Sequence, residues 1–208
     1  MRVEEGLFLG FPDNARNSLA QLLCENFASG KIQLNQVSSC VHLRVYMEII
    51  GQCFSLPLQY HTTIESALNL YKSWLLDPKR QPEPLKQDEQ YFYKQMFKQL
   101  SLIFTLRVAD LDTGSRTPNA GKEKLAAVSE DIEIHIKFCR MALNIYRSAG
   151  VKYGRQMSDD TWELLLKIIL GITDSMLVQP RGTSMVVEQM ISDLINVCLS
   201  FFLVCNKV

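Results

Sequence analysis

The segment DTWELLLKIILGITDSMLVQP, Asp160 to Pro180, is apolar almost all the way round a helix. Trp162, Leu165, Leu166, Ile169, Thr173 and Met176 recur at helical spacing, and Leu164, Ile168, Ile172 and Leu177 cover much of the remainder. Only Glu163, Lys167 and Asp174 are left for a polar edge. A helix apolar over most of its circumference must be covered on several sides. The expectation is therefore a layered helical protein rather than a single surface helix on a sheet.

The rest of the chain repeats the theme. A first helix is expected from Asp13, as its cap, to about Ala28, ended by Gly30. A second runs from about Ser39 to Phe54 on Val41, Val45, Ile49 and Cys53, stopping before Leu56-Pro57-Leu58. Thr62 and Glu65 have the spacing of a capping box. They open a third helix on Ile64, Leu68, Tyr71 and Leu75, closed near Asp77-Pro78. The fourth, about Asp88 to Arg107, lines up Tyr93, Phe97, Leu100 and Phe104. A fifth, about Ser129 to Ala149, carries Ile132, Ile136, Cys139, Leu143 and Tyr146, with Gly150 as its C-terminal cap. Ser158 or Asp159 caps the opening segment, and a last helix spans about Thr183 to Asn206 on Val187, Met190, Ile191, Leu194, Cys198, Phe201 and Phe202.

With almost no period-2 alternation, the fold class is all-α. About seven helices in antiparallel pairs, stacked as an irregular HEAT/armadillo-like solenoid, fit this pattern, and a helical bundle is the alternative. Residues 1–108 form an N-terminal helical segment of about four helices, 109–122 a flexible linker, and 123–208 a C-terminal segment of about three. The final SFFLVCNKV stays apolar without a polar capping stretch, which predicts an exposed apolar patch there and a core continuing in a longer parent protein.

Composition excludes several functions. Twenty-two basic and 22 acidic residues give a formal net charge of zero, which argues against nucleic acid as a partner. The longest apolar run, Leu194 to Cys205, is 12 residues against the roughly 20 needed to span a bilayer, so no transmembrane segment is expected. Cysteines at 24, 40, 53, 139, 198 and 205 form no CxxC pair and read as free thiols of a cytoplasmic protein.

Chemistry is sparse. His135 and Cys139 lie one helical turn apart, but zinc needs three or four ligands, so no metal site, cofactor site or catalytic residue is assigned. His42 and His61 are isolated. The stretch Gly114 to Glu123 has six residues between its glycines, where a phosphate loop has four, and Glu123 where that loop has Ser or Thr. Arg116-Thr117-Pro118 within it is a possible phosphorylation site for proline-directed kinases, against the plainer reading of a turn. Glu130-Asp131 and Asp159-Asp160 suit helix starts.

Four phrases, MEIIGQCFSLPL (Met47 to Leu58), LNLYKSWL (Leu68 to Leu75), QDEQYFYKQMFKQLSLIF (Gln87 to Phe104) and the opening segment, occur in an order that resembles the Ral GTPase-activating protein beta-subunit family in its N-terminal region. The resemblance runs from about Gly10 to Val208. It implies a non-catalytic scaffold or regulatory segment that supports heterodimer assembly with a catalytic alpha subunit, and through it acts on Ral-type small GTPases. In that family the alpha subunit supplies a catalytic asparagine from a mixed α/β domain. Asn35, Asn69, Asn144 and Asn196 have no such context here, and none is assigned that role. The alternatives are a generic helical-repeat interaction adaptor and a small helical enzyme built on His or Cys.

Overall fold

The computed structural model describes residues 6–33, 37, 39–105, 121–177 and 184–205. Among them the chain is all-helical, with eight α-helices, three short 3₁₀ turns and no strand. The α-helices are α1 (Asp13–Ala28), α2 (Cys40–Cys53), α3 (His61–Leu76), α4 (Glu83–Gln87), α5 (Glu89–Ser101), α6 (Gly121–Tyr153), α7 (Asp159–Leu177) and α8 (Ser184–Cys205). The all-α expectation holds. The expected fourth helix is divided differently: the short α4 precedes it, and α5 tightens after Ser101 into a 3₁₀ turn over Leu102–Phe104. Five α-helices thus occupy the N-terminal part where about four were expected.

The core follows the apolar spacing in α3, where Ile64, Leu68, Tyr71 and Leu75 are fully buried, and in α5 with its following 3₁₀ turn, where Tyr93, Phe97, Leu100 and Phe104 are buried together with Phe92 and Met96. Helix α2 turns its predicted stripe aside. Leu43, Met47, Ile50 and Cys53 face inward, while Val41, Val45 and Ile49 are only half-buried. The reason is that α2 touches α1, α3, α4 and α5, so its deepest face is set by several neighbours. Helix α7 buries Leu165, Ile169, Ile172 and Met176 but leaves Leu170 exposed and Trp162, Leu166 and Ile168 partly covered. It packs on α5 and α8, fewer sides than its composition suggested.

Helix ends supply further corrections. Asp13 is the first residue of α1, after Pro12, and pairs with Arg16 at 2.5 Å instead of capping. The Thr62–Glu65 box does not form, because the chain enters α3 through the 3₁₀ turn Leu58–Tyr60 and Thr62 is already inside the helix. Glu65 instead reaches Lys137 on α6 at 2.8 Å. Gly30 does end α1, with φ 72°, and Asp77 does close α3, its carboxylate accepting the Lys79 amide at 3.0 Å. Helix α6 starts at Gly121, before the expected Ser129, so the end of the predicted linker belongs to it. Residues 109–120, including Arg116-Thr117-Pro118, lie outside the described residues.

Gly150 is not a cap. It lies inside α6, buried, and a Cβ placed there would stand 2.4 Å from the Phe201 ring of α8. The missing side chain is what lets α6 and α8 approach. Around this contact, Arg140 pairs with Asp193 at 2.9 Å and the Arg147 Nε donates to Ser200 Oγ at 3.2 Å. Tyr146, fully buried on α6, donates to the Phe97 carbonyl of α5 at 2.7 Å. Lys152 donates to the Leu76 carbonyl at the end of α3 at 2.6 Å.

The start of α7 is tied to α5. The Ser158 amide donates to Gln90 Oε1 at 2.9 Å, and Lys94 pairs with Asp160 at 2.5 Å. Bonds from Lys94 and Ser158 hold the exposed Asp160 carboxyl down to about 2. Because its folded value is depressed, this contribution is present above the ordinary 3.8 and is lost as pH falls through about 2. A carbon-detected titration should place the Asp160 midpoint near 2 and return it toward 3.8 in Lys94→Met; equal midpoints would remove the link.

Exchanging Gly for Ala inside a helix ordinarily stabilises by roughly 0.5–1 kcal/mol. At Gly150 the reverse is expected, a net loss of about 1–2 kcal/mol from overpacking against Phe201. Thermal melting of Gly150→Ala, with Phe201→Leu as a relieving second change, checks this. A rise in Tm for the single variant would contradict it.

Candidate interaction surface

The residues with the best claim to chemistry do not converge. His135 and Cys139 are both buried, with Nε2 and Sγ 3.6 Å apart, on the core side of α6. Among the described residues, no group of three or more His, Cys, Asp or Glu side chains could hold a metal ion. His42 and His61 are exposed and belong to α2 and α3. Asn69, Asn144 and Asn196 are exposed on three different helices, and Asn35 lies outside the described residues. Cys24, Cys53 and Cys139 are buried, and burial together with the neighbouring Glu25 charge pushes the Cys24 thiol up to about 12. Such a thiol stays protonated and inert. No described helix is long and apolar enough to cross a membrane.

Cavities open between the helices of the described surface. One of about 510 Å³ lies between the end of α5 and α7, beside Phe104, Ile168, Gly171 and Ile172. A second, of about 470 Å³, lies between α1 and α3, beside Cys24, Phe27, Asn69 and Trp74. A third, of about 290 Å³, lies between α2 and α5 under residues 6–11.

The most unusual surface is on α8. Its inner face buries Met190, Leu194, Val197 and Phe201 against the core. One position further round, Ile191, Ile195, Leu199 and Leu203 are 41%, 53%, 55% and 61% exposed, and Cys198 lies exposed among them. Ile191 and Cys198 were expected inside. They are outside because α6 and α7 leave room for a single buried face of α8. The i, i+4 spacing sets the four large side chains in one row, about 18 Å long at 1.5 Å per residue. Single exposed leucines are ordinary, but a continuous apolar row is the mark of an interaction surface. Ser192 and Asn196 interrupt it only on the far side. The apolar patch expected at SFFLVCNKV is met there only by Leu203, since Phe201 is buried and the side chains of 202 and 204–208 lie outside the described residues; the row lies mostly before that stretch. The periodicity of α8 alone could not separate its buried face from this adjacent one.

Residues 131–208 match the family model of the RALGAPB N-terminal domain. A Rap-GAP domain-containing protein of Dictyostelium discoideum is 44% identical over 72 residues, which are 34% of this chain and 4% of that much longer protein. No solved structure matches. The family match holds most of α6 and all of α7 and α8, and with them the exposed row. The resemblance read from four phrases is borne out over this stretch, where residues 131–208 are similar to the RALGAPB N-terminal domain family; the phrases from Met47 to Phe104 lie outside the match.

Proposed function

We propose that this chain is a non-catalytic helical scaffold segment of a Ral GTPase-activating complex, a beta-subunit element that supports assembly with a catalytic alpha subunit in the cytoplasm. In this reading its helices stack as part of an irregular solenoid, and it acts on small GTPases only through the partner. The observation that carries the reading is the coincidence of two features in one stretch. Residues 131–208 match the beta-subunit domain family, and the same residues present the exposed Ile191, Ile195, Leu199 and Leu203 row. A helix face of this kind suits a partner helix or groove, where apolar anchors at i and i+4 give the contact its energy. Zero net charge fits such a contact better than electrostatic docking.

Co-expression with the catalytic alpha subunit, followed by affinity capture, tests the proposal. Ile195→Glu combined with Leu199→Glu replaces exposed side chains and should leave the circular dichroism of the chain unchanged. Recovery of the alpha subunit should drop at least about tenfold, since hot-spot anchors in such a row are worth about 2 kcal/mol or more each. Undiminished recovery by the folded double variant would refute a role for this face. Capture of unrelated proteins with no alpha subunit would favour a general helical adaptor instead.

A further inference from the structure

The described helices touch one another in two rows. Helix α1 touches α3, α3 touches α6 and α6 touches α8, while α2 touches α5 and α5 touches α7. Neighbours within a row run in the same direction. Arg140 and Arg147 of α6 reach Asp193 and Ser200 of α8, a step of seven residues on both helices. Glu65 and Leu76 of α3 meet Lys137 and Lys152 of α6 in the same sense. Gln90 holds Ser158 at the start of α5 and α7, and Phe104 and Ile172 share a cavity nearer their ends.

The exposed apolar side chains of α7 and α8 point away from those neighbours. At about 100° of turn per residue, Ile191 and Ile195 stand roughly 160° and 200° round α8 from Asp193, opposite the side that α6 covers. Leu170 of α7, 64% exposed, stands roughly 160° round that helix from Ile172, which lines the cavity beside α5. Each row thus presents apolar residues on the side where one more helix of the row would pack.

Charge on this face is one-sided. Helix α8 contains Glu188 and Asp193 and no lysine or arginine. Arg140 neutralises Asp193, which leaves Glu188 exposed two turns before Ile195. Trp162 at the start of α7 packs on Phe201 near the end of α8, so the two helices are antiparallel and the exposed Asp174 falls at the same end as Glu188. Lys167 is already paired with Glu163 at 2.6 Å. A second copy meeting this face with its own would bring further acids and, among the described residues, only that paired lysine. A helix N-terminus carrying basic side chains suits the acidic end far better.

Building on the reading of the α8 row as a contact surface, we propose that the face shared by α7 and α8 binds an amphipathic helix of a partner protein, running in the direction of α8. Its apolar stripe lies on Ile191, Ile195 and Leu199, and its basic N-terminal end lies beside Glu188 and Asp174.

The probes are peptides of about 20 residues, long enough to hold a helix when docked, with leucines at i, i+3, i+4 and i+7. One carries lysines near its N-terminus and its counterpart carries glutamates there, and each is made with a nitroxide at either end. Titrated into the full chain, the lysine peptide should saturate. Its N-terminal label should broaden the Ile191 methyl resonances and its C-terminal label those of Leu203. The glutamate peptide should bind about tenfold more weakly, as close like charges dictate. Ile195→Glu, with unchanged circular dichroism, should weaken the lysine peptide by about tenfold or more. No saturation at millimolar peptide, equal binding of the two peptides, or broadening in the reverse order would overturn the proposal. A dimer of the chain alone that Ile195→Glu abolishes would give the face to a second copy and overturn it as well. Should the peptides fail while capture of the alpha subunit still depends on Ile195 and Leu199, the contact surface stands and only this helix is struck. Should the peptides bind as expected while that capture is undiminished, the alpha subunit is struck as the source of the helix.

Discussion

Everything in this molecule depends on how α6 is covered. Ile136, Phe138, Cys139, Ala142, Leu143, Ile145, Tyr146 and Ala149 are all buried, which a helix achieves only when neighbours press on more than one side. Those neighbours are α3 and α5 from the first part of the chain and α8 from the last. The Tyr146 hydroxyl must find an acceptor once buried, and the acceptor it finds is on α5. Gly150 sets the other approach, because Phe201 fills the space where a side chain would stand. One helix thus joins two sets of helices into one core.

Polar groups are arranged accordingly. Inside, they occur as bonded sets, such as Glu48, Gln52, Gln99 and Tyr71, and the tyrosine hydroxyls are held protonated by burial. At the rims, ion pairs such as Lys137–Glu65 and Arg140–Asp193 join helix to helix, each worth roughly 0–1 kcal/mol in water. They set the register of packing more than its strength. What they leave uncovered is the outer row of α8, where apolar side chains meet water without a neighbour of their own among the described helices.

The helices of this fold were legible where the apolar spacing coincides with the buried face. In α3 and α5 the apolar residues spaced at three and four are buried, although each of these helices packs on several neighbours. Legibility failed on α2, whose expected stripe is only half-buried apart from Cys53, and where a local signal had a second meaning. Gly150 looked like a cap because glycine is common after helices, yet it serves close packing with a residue 51 positions away. Thr62 and Glu65 had capping-box spacing, but a 3₁₀ turn had already begun the helix and Lys137 claimed the carboxylate. An apolar patch was expected at the terminal SFFLVCNKV, from the lack of a polar capping stretch, and the exposed row on α8 lies mostly before it. Its position beside the buried face depends on how many helices surround α8, which no local pattern encodes. The cavity at Glu48 was not foreseen either, since its members come from residues 6 to 102 and share no motif.

The account turns on whether the outer face of α8 is a contact surface. Cys198 is exposed within that face, so it reports directly on what covers it. The decisive measurement is its alkylation rate in the chain alone and in the complex proposed above with a catalytic alpha subunit. A fall of about tenfold or more on assembly, reversed on dissociation, is the predicted result, as burial at an interface core excludes solvent and reagent. An unchanged rate in a demonstrably intact complex would contradict the account.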